Sequence, residues 1–142
     1  MITYLSHMHD DHPLPKASAA AHPSVPSSAG NSHFHRLEVL EGPAFATPPP
    51  SEARALLARL ASDPGIASSM RAHRFTVGLL GELPPEGKVG VSPICLLGLN
   101  VRRGEAVLLR LRTDDLKGFR RYLDVRDCLV HELCHNVHGV RR

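Results

Sequence analysis

Apolar residues first recur at a helical spacing in the segment SEARALLARLAS, which begins at Ser51. Leu56, Leu57 and Leu60 fall on one face of a helix, and Ser51 is a good N-cap residue. Directly afterwards, Asp63 and the proline that follows it have the pattern of an N-cap with proline at the first helical position. The sequence therefore predicts two consecutive helices, the second ending near residue 73.

The apolar pattern then changes to that of β-strands. FTVGLLGEL at 75–83 predicts a strand, and the turn-rich PPEGKVG that follows predicts a loop. CLLGLN and EAVLLRLR predict two more strands joined by a tight Arg-Arg-Gly turn. In EAVLLRLR, Val107, Leu109 and Leu111 alternate with a set that includes Arg110 and Arg112, which predicts an inward apolar face and a partly basic outward face.

A last helix is predicted near the end of the sequence. Asp124 is a candidate N-cap residue, Asp127 is in the first turn, and Gly139 is a natural residue just past a helix end. The order of helices, small sheet and helix predicts an α+β fold with an antiparallel-containing sheet.

This last helix carries HELCH, with His131 and His135 four residues apart. Both imidazoles leave the same face of a helix one turn apart, so they can converge on one tetrahedral cation. Glu132 lies beside such a cation, where it can accept a proton from a zinc-bound water whose pKa falls toward ~7. These three residues are the candidate metal ligands and catalytic base.

The residues around HELCH predict how the helix packs. Leu129, Val130 and Leu133 are expected to supply the apolar backing that holds a metal ligand in place. Cys134 lies between the histidines on a different face, and we interpret it as a small core residue and not as a ligand.

Composition limits the chain to one small domain. It has 142 residues, 42% of them apolar and 4% aromatic, with no tryptophan, and a net charge of +3. The three cysteines form no CxxC pair, which indicates a reducing compartment. No apolar run approaches the ~20 residues that span a bilayer. We expect a nuclear or cytoplasmic protein.

The N-terminal 50 residues are expected to be disordered or weakly ordered, and the domain is expected at 51–142. Residues 13–31 consist mainly of Pro, Ala and Ser. Before them, His7, His9, Asp11 and His12 have the H-x-H-x-D-H spacing of metallo-β-lactamase-type hydrolases. That fold needs further ligands far downstream, and none follows, so a histidine-rich tail is the better interpretation.

Three blocks in the second half carry a family resemblance. RFTVGLLGELPPEGKVGVSPICLLGLN, GEAVLLRLRTDDLKGFRRY and HELCHNVHG, in this order, resemble the WLM-domain metalloproteases, relatives of the SprT-like (Spartan) proteases that degrade proteins crosslinked to DNA. The preceding residues resemble the lead-in of members with an N-terminal ubiquitin-like domain.

This resemblance implies a minimal zincin fold and a zinc-dependent endopeptidase. Zinc is then held by His131, His135 and a third histidine downstream, and Glu132 is the catalytic base. The implied partners are protein substrates, DNA, and ubiquitin or a ubiquitin-like modifier such as SUMO.

The third ligand is where the sequence departs from the family pattern. In the family, the glycine matching Gly139 is followed within two residues by the third histidine, whereas Val140 and Arg141 stand here. A guanidinium cannot ligate zinc. His138 is an alternative, but at ~1.5 Å rise per residue it lies too far along the axis unless the helix breaks. We expect a truncated gene model or splice form, with a domain that is incomplete at its C-terminus.

Two alternatives therefore remain open from the sequence. The chain is either a WLM-type metallopeptidase or an inactive truncated fragment or protein-interaction module that retains the fold. Basic residues around the strands and the following loop form either a solvated surface or a nucleic-acid surface. They are Arg102, Arg103, Arg110, Arg112, Arg120 and Arg121.

Overall fold

The structure is a computed structural model that describes residues 3–5, 33–85 and 94–138, with side chains at 33–85 and 96–136. Along the chain the elements are β1 (Thr3–Leu5), β2 (Phe34–Glu38), a short 3-10 helix (Pro43–Phe45), α1 (Pro50–Ala61), α2 (Pro64–His73), β3 (Val77–Glu82), β4 (Ile94–Leu96), β5 (Gly98–Val101), β6 (Ala106–Leu109) and α3 (Tyr122–His138).

A mixed four-stranded sheet organises the domain, in the order β2-β3-β6-β5. β2 pairs parallel with β3, and β3 pairs parallel with β6, while β5 and β6 are antiparallel. β1 and β4 form a separate parallel pair. Because parallel neighbours need a crossover, α1 and α2 connect β2 to β3. The predicted α+β class and its antiparallel strand pair are confirmed.

Both faces of the sheet are buried. The larger apolar cluster joins α1, α2 and α3 to Val77, Leu80 and Val107 of the strands. The smaller cluster, which includes Leu79 and Leu108, consists of residues from the strands and their ends. Burial on both sides removes the polar-out alternation that a one-sided sheet shows.

The predicted outward basic face of β6 is therefore wrong. All seven residues from 106 to 112 are buried. Arg110 and Arg112 are each 1% exposed, and they are paired with Asp114 and Glu82 respectively. Side chains of this length reach a carboxylate from inside the fold, which hydropathy alternation does not reveal.

The predicted start of a helix is correct where a side chain caps it. α2 has the predicted bounds, and Asp63 Oδ1 accepts hydrogen bonds from the N–H groups of Gly65 (3.0 Å) and Ile66 (3.2 Å). α1 begins at Pro50 without a side-chain cap, so the predicted cap at Ser51 is wrong.

α3 begins two residues before the predicted cap at Asp124. The N–H groups of Asp124 and Val125 donate to the carbonyl oxygen of Arg121 at 3.0 and 3.1 Å. Asp124 instead lies in the first turn, where its carboxylate interacts favourably with the helix dipole. It also forms an ion pair with Arg121 at 3.0 Å. Gly139, the predicted end of the helix, lies outside the described residues.

The ordered domain extends N-terminal of the predicted boundary at residue 51. β2 lies within the segment expected to be weakly ordered, and its Phe34 is buried in the larger cluster. The predicted spacer at 13–31 and the histidine-rich motif at 7–12 lie outside the described residues. None of the helices that the structure describes is long and apolar enough to cross a membrane.

Candidate metal centre

α3 carries the HELCH segment and packs against β5 and β6. Val125, Leu129 and Leu133 lie four residues apart and are buried in the larger cluster. Leu129 and Leu133 thus back the site as predicted. Val130 does not, because its side chain is 39% exposed.

His131 and His135 lie one turn apart on α3, with ring centroids 5.4 Å apart and rings nearly perpendicular. Two imidazoles bound to one tetrahedral zinc at ~2.0 Å have centroids roughly 5 Å apart. His131 is exposed and His135 is half-buried, so the pair is reachable from solvent. The geometry fits two ligand positions of a zinc site.

The remaining ligand positions are not supplied by the described side chains. Among residues 33–85 and 96–136, no group of three or more His, Cys, Asp or Glu side chains is arranged to hold a metal ion. The His138 side chain and residues 139–142 lie outside the described residues, so the expectations about the third ligand stay predictions.

Glu132 lies between the histidines in sequence and is 0% exposed. It shares the buried side of α3 with Cys128, where burial raises the pKa of the Cys128 thiol and the Glu132 carboxylate adds a smaller effect in the same direction. The carboxylate is thus held inside the domain while His131 faces solvent. A proton acceptor in this position is shielded from bulk water, which strengthens its electrostatic interactions.

A shallow groove of about 290 Å³ runs beside His131. Its lining residues are Leu97, Asp127, Cys128 and His131. Burial raises the pKa of the Cys128 thiol, and Arg120 only partly opposes this from 3.8 Å away. Cys128 is therefore neutral near pH 7 and forms an apolar part of the groove wall. In this state it is a poor metal ligand, because metals bind the thiolate and not the thiol.

The prediction that Cys134 fills the core is wrong. Cys134 is exposed, and it lines a second groove between α2 and α3 together with Val130. Residues 130 and 134 are one turn apart on one flank of α3, and Leu133 forms part of the wall of the same groove.

Asn100 of β5 joins the strand to the middle of the HELCH segment. Its Nδ2 donates to the carbonyl oxygen of Glu132 at 2.8 Å and to Oδ1 of Asn136 at 2.9 Å. Its Oδ1 accepts from the N–H of Gly104 at 2.8 Å. The side chain is fully buried. One amide thus connects β5, the β5–β6 turn and α3.

A second connection holds the start of α3 against α2. Asp63 accepts hydrogen bonds from Arg126 Nε at 2.8 Å and from the Tyr122 hydroxyl at 2.7 Å. The Arg126 guanidinium holds the pKa of the Asp63 carboxyl far below its usual range. Burial and the neighbouring Asp63 carboxylate raise the pKa of Tyr122 to about 12.

Fewer of the predicted basic residues lie on the surface than expected. Arg110 and Arg112 are buried, so they contact no nucleic acid in this fold. Arg102, Arg103 and Arg121 are exposed. Arg102 and Arg103 both have left-handed φ angles, 47° and 52°, in the β5–β6 turn, a conformation that costs energy for residues with a side chain.

Comparison with known families decides the identity of this fold. The model of the WLM domain matches residues 32–141. The chain belongs to the WLM domain family. The match begins close to β2, which agrees with an ordered domain that starts before α1.

Two kinds of relative support the assignment. The WLM chain is 42% identical over 118 residues to DNA-dependent metalloprotease WSS1 homolog 2 of Schizosaccharomyces pombe, covering 82% of this chain and 39% of that protein. The chain therefore spans about two fifths of the length of this curated relative.

Solved structures show the same fold. The crystal structure of a Glu-to-Gln mutant of Wss1 from S. pombe matches with a TM-score of 0.61 and 40% identity, over 79% of this chain and 86% of that one. Wss1 from Saccharomyces cerevisiae matches with a TM-score of 0.64 and 28% identity, over 79% of each chain.

Asn100 was not predicted from the sequence. Its signal in the sequence is a lone amide in the apolar run CLLGLNV. A buried amide inside a strand needs partners, so such a residue marks a contact with another element. The identity of that element is visible only in the fold.

Proposed function

We propose that this chain is the catalytic domain of a zinc metallopeptidase of the WLM type. The observation that carries the proposal is the pairing of His131 and His135 on one helix flank, 5.4 Å apart, with Glu132 between them in a WLM domain. The third ligand is proposed to be a histidine beyond the described side chains.

Each of the three residues has a separate task in this proposal. Zinc, when bound, supplies a Lewis acid that polarises a peptide carbonyl and lowers the pKa of a water molecule. His131 and His135 would hold it through their ring nitrogens. Glu132 accepts the proton of the attacking water and later passes it to the leaving amine. The burial of Glu132 keeps this carboxylate away from competing solvent.

The proposed substrates are proteins, including proteins attached to DNA, in the nucleus or the cytoplasm. Two features support a DNA partner: the relative is named a DNA-dependent metalloprotease, and two exposed arginines stand in the β5–β6 turn. Recruitment by ubiquitin or a ubiquitin-like modifier is proposed from the family resemblance alone.

Metal content and cleavage together test the proposal. Glu132→Gln should retain zinc and lose most proteolysis, because an amide keeps the shape of the side chain but takes no proton. His131→Ala and His135→Ala should lose both. Undiminished cleavage by the Glu132→Gln protein sinks the role of Glu132.

The same assay decides the third ligand. His138→Ala is the matched variant on the same helix, and a zinc loss as large as that of His131→Ala identifies His138 as a ligand. Unchanged zinc content in His138→Ala assigns the position to a histidine elsewhere.

A binding module without catalysis is the second candidate. It is favoured by the sequence, in which Val140 and Arg141 stand where the family pattern has the third histidine. Zinc at background level in the unmodified chain, with the fold intact, supports this candidate.

A further inference from the structure

Asn100 is a buried amide in a strand whose neighbours are apolar. Leu99 and Val101 on either side of it belong to the smaller apolar cluster on the face of the sheet away from α3. Successive residues of a strand point to opposite faces, so Asn100 points toward α3. Burying an amide costs free energy unless its donors and acceptor are hydrogen-bonded.

Two of the three hydrogen bonds of Asn100 join it to α3, and one of these is at the glutamate of the HELCH segment. A carbonyl oxygen has two lone pairs, so the Glu132 carbonyl can accept from Asn100 in addition to its helical partner. The second bond, to Asn136 Oδ1, lies one turn further along the same side. Two contacts one turn apart define both the axial position and the rotation of the helix.

The third bond fixes the turn that adjoins this part of the helix. Gly104 has a φ of 97°, and a Cβ there would lie 2.6 Å from Asn136 Nδ2. The turn backbone thus lies directly against α3. Asn100 holds that turn through the Gly104 N–H, so strand, turn and helix share one amide.

We propose that Asn100 is a positioning residue for the metal centre. Its carboxamide sets the position and rotation of α3 on the sheet, and thereby the orientation of His131, Glu132 and His135. A slip of one residue moves a helix by ~1.5 Å and turns it by roughly 100°, which breaks both contacts. The consequence for metal binding rests on the proposed function; the positioning of the helix does not.

Amide hydrogen exchange of the whole chain tests the positioning directly. Asn100→Asp keeps the acceptor for Gly104 but removes both donated bonds and sets a carboxylate against two oxygens. Amides 131–136 should then exchange at least about tenfold faster, beyond any change in global stability. Leu79→Val, in the cluster on the other face, is the control, and it should accelerate exchange only through global unfolding.

Two variants of Asn136 test the same hydrogen bond from the side of α3. Asn136→Asp retains the oxygen that accepts from Asn100, so exchange at 131–136 should stay near that of the unmodified chain. Asn136→Ala loses the oxygen and should accelerate it. This pair also decides the matter if the Asn100 variants do not fold, since equal exchange in the two Asn136 variants overturns the proposal.

Titration with Co²⁺, followed by its visible absorption, adds the metal readout. Asn100→Asp should weaken Co²⁺ binding more than Leu79→Val does. If exchange changes as expected but the unmodified chain binds no Co²⁺, the proposed metal function fails and the positioning role stands. If segment 131–136 responds no more in Asn100→Asp than in Leu79→Val, the positioning role is wrong.

Discussion

Single residues at the candidate metal centre differ in how far a local pattern reveals them. His131 and His135 stand four positions apart on one helix, so their spacing alone predicts a common flank, and the structure places the two rings 5.4 Å apart. Asn100 contacts the same segment from 32 positions earlier in the chain. A contact over that separation depends on how β5 packs on α3, which spacing does not encode.

The two described cysteines should differ sharply in reactivity. Cys134 is exposed, whereas burial limits the access of reagents to Cys128 and raises the pKa of its thiol. Because the thiolate is the reactive form, iodoacetamide at pH 8 should label Cys134 first and Cys128 only on unfolding. Peptide mapping by mass spectrometry reads this out, with Cys134→Ser as the control. Comparable early labelling of both thiols contradicts the burial of Cys128.

At the scale of elements, predictions that rest on local signals succeeded more often than predictions that depend on tertiary burial. α2 has its predicted bounds because the Asp63 cap and the proline after it act within one turn. The face assignment of β6 failed because both sides of the sheet are covered. Hydropathy alternation assumes a one-sided strand, and only the packing of the whole sheet shows otherwise.

The junction of α2 and α3 should depend on the charge of Asp63. Asp63→Asn keeps a capping oxygen but loses the charged partner of Arg126, at a cost of about 1–3 kcal/mol. Asp63→Ala also loses the cap, which adds about 1 kcal/mol. Urea denaturation at pH 7 measures both costs. Equal stability of the two variants would mean that the cap contributes nothing.

The same carboxylate predicts a pH dependence of stability. Its pKa is lowered on folding from the ordinary 3.8, so its contribution to stability is complete well above that value and is lost as the pH falls below it. The stability advantage of the unmodified chain over Asp63→Asn should therefore shrink below pH 3.8. An advantage that is constant down to pH 2 contradicts the lowered pKa.

The buried pair of Arg112 and Glu82 links three elements. Arg112 donates to Glu82 at 2.7 Å and to the carbonyl of Pro48 at 2.8 Å, while the Leu40 N–H donates to Glu82 at 3.0 Å. The pair thus ties the segment after β2 to the ends of β3 and β6.

Removing one partner of this pair should be worse than removing both. Arg112→Met leaves an uncompensated buried carboxylate and should cost about 3–5 kcal/mol. Glu82→Leu combined with Arg112→Met should cost less than the sum of the single changes. A double-mutant cycle by urea denaturation measures the coupling, and additive costs contradict a desolvated pair.

At the scale of the whole molecule, the α+β class followed from the order of helix and strand patterns. The N-terminal limit of the domain did not, because β2 is only five residues long and acquires its structure by pairing with β3. A short strand without alternation has no signature of its own. Its place in the sheet depends on residues that come after two helices.

DNA binding by the whole chain should depend on the β5–β6 turn. Arg102→Ala with Arg103→Ala should weaken binding and reduce the salt dependence, by up to about two phosphate contacts in the slope of log K against log salt. Arg36→Ala with Arg71→Ala removes the same charge elsewhere and serves as the control. Fluorescence anisotropy at several salt concentrations measures both pairs. If the two double variants weaken DNA binding equally, the effect is one of overall charge and the β5–β6 turn has no specific role.

The parallel pairing of β2 with β3 and of β3 with β6 also governs how the chain folds. Phe34 meets Val77, and Leu79 meets Ala106, so neither pair forms until long loops close. Chains dominated by such distant pairings typically fold in milliseconds to seconds, not microseconds. During synthesis, the apolar edge of β3 therefore stays unpaired until β6 has left the ribosome. Nascent chains that end before β6 should need chaperones.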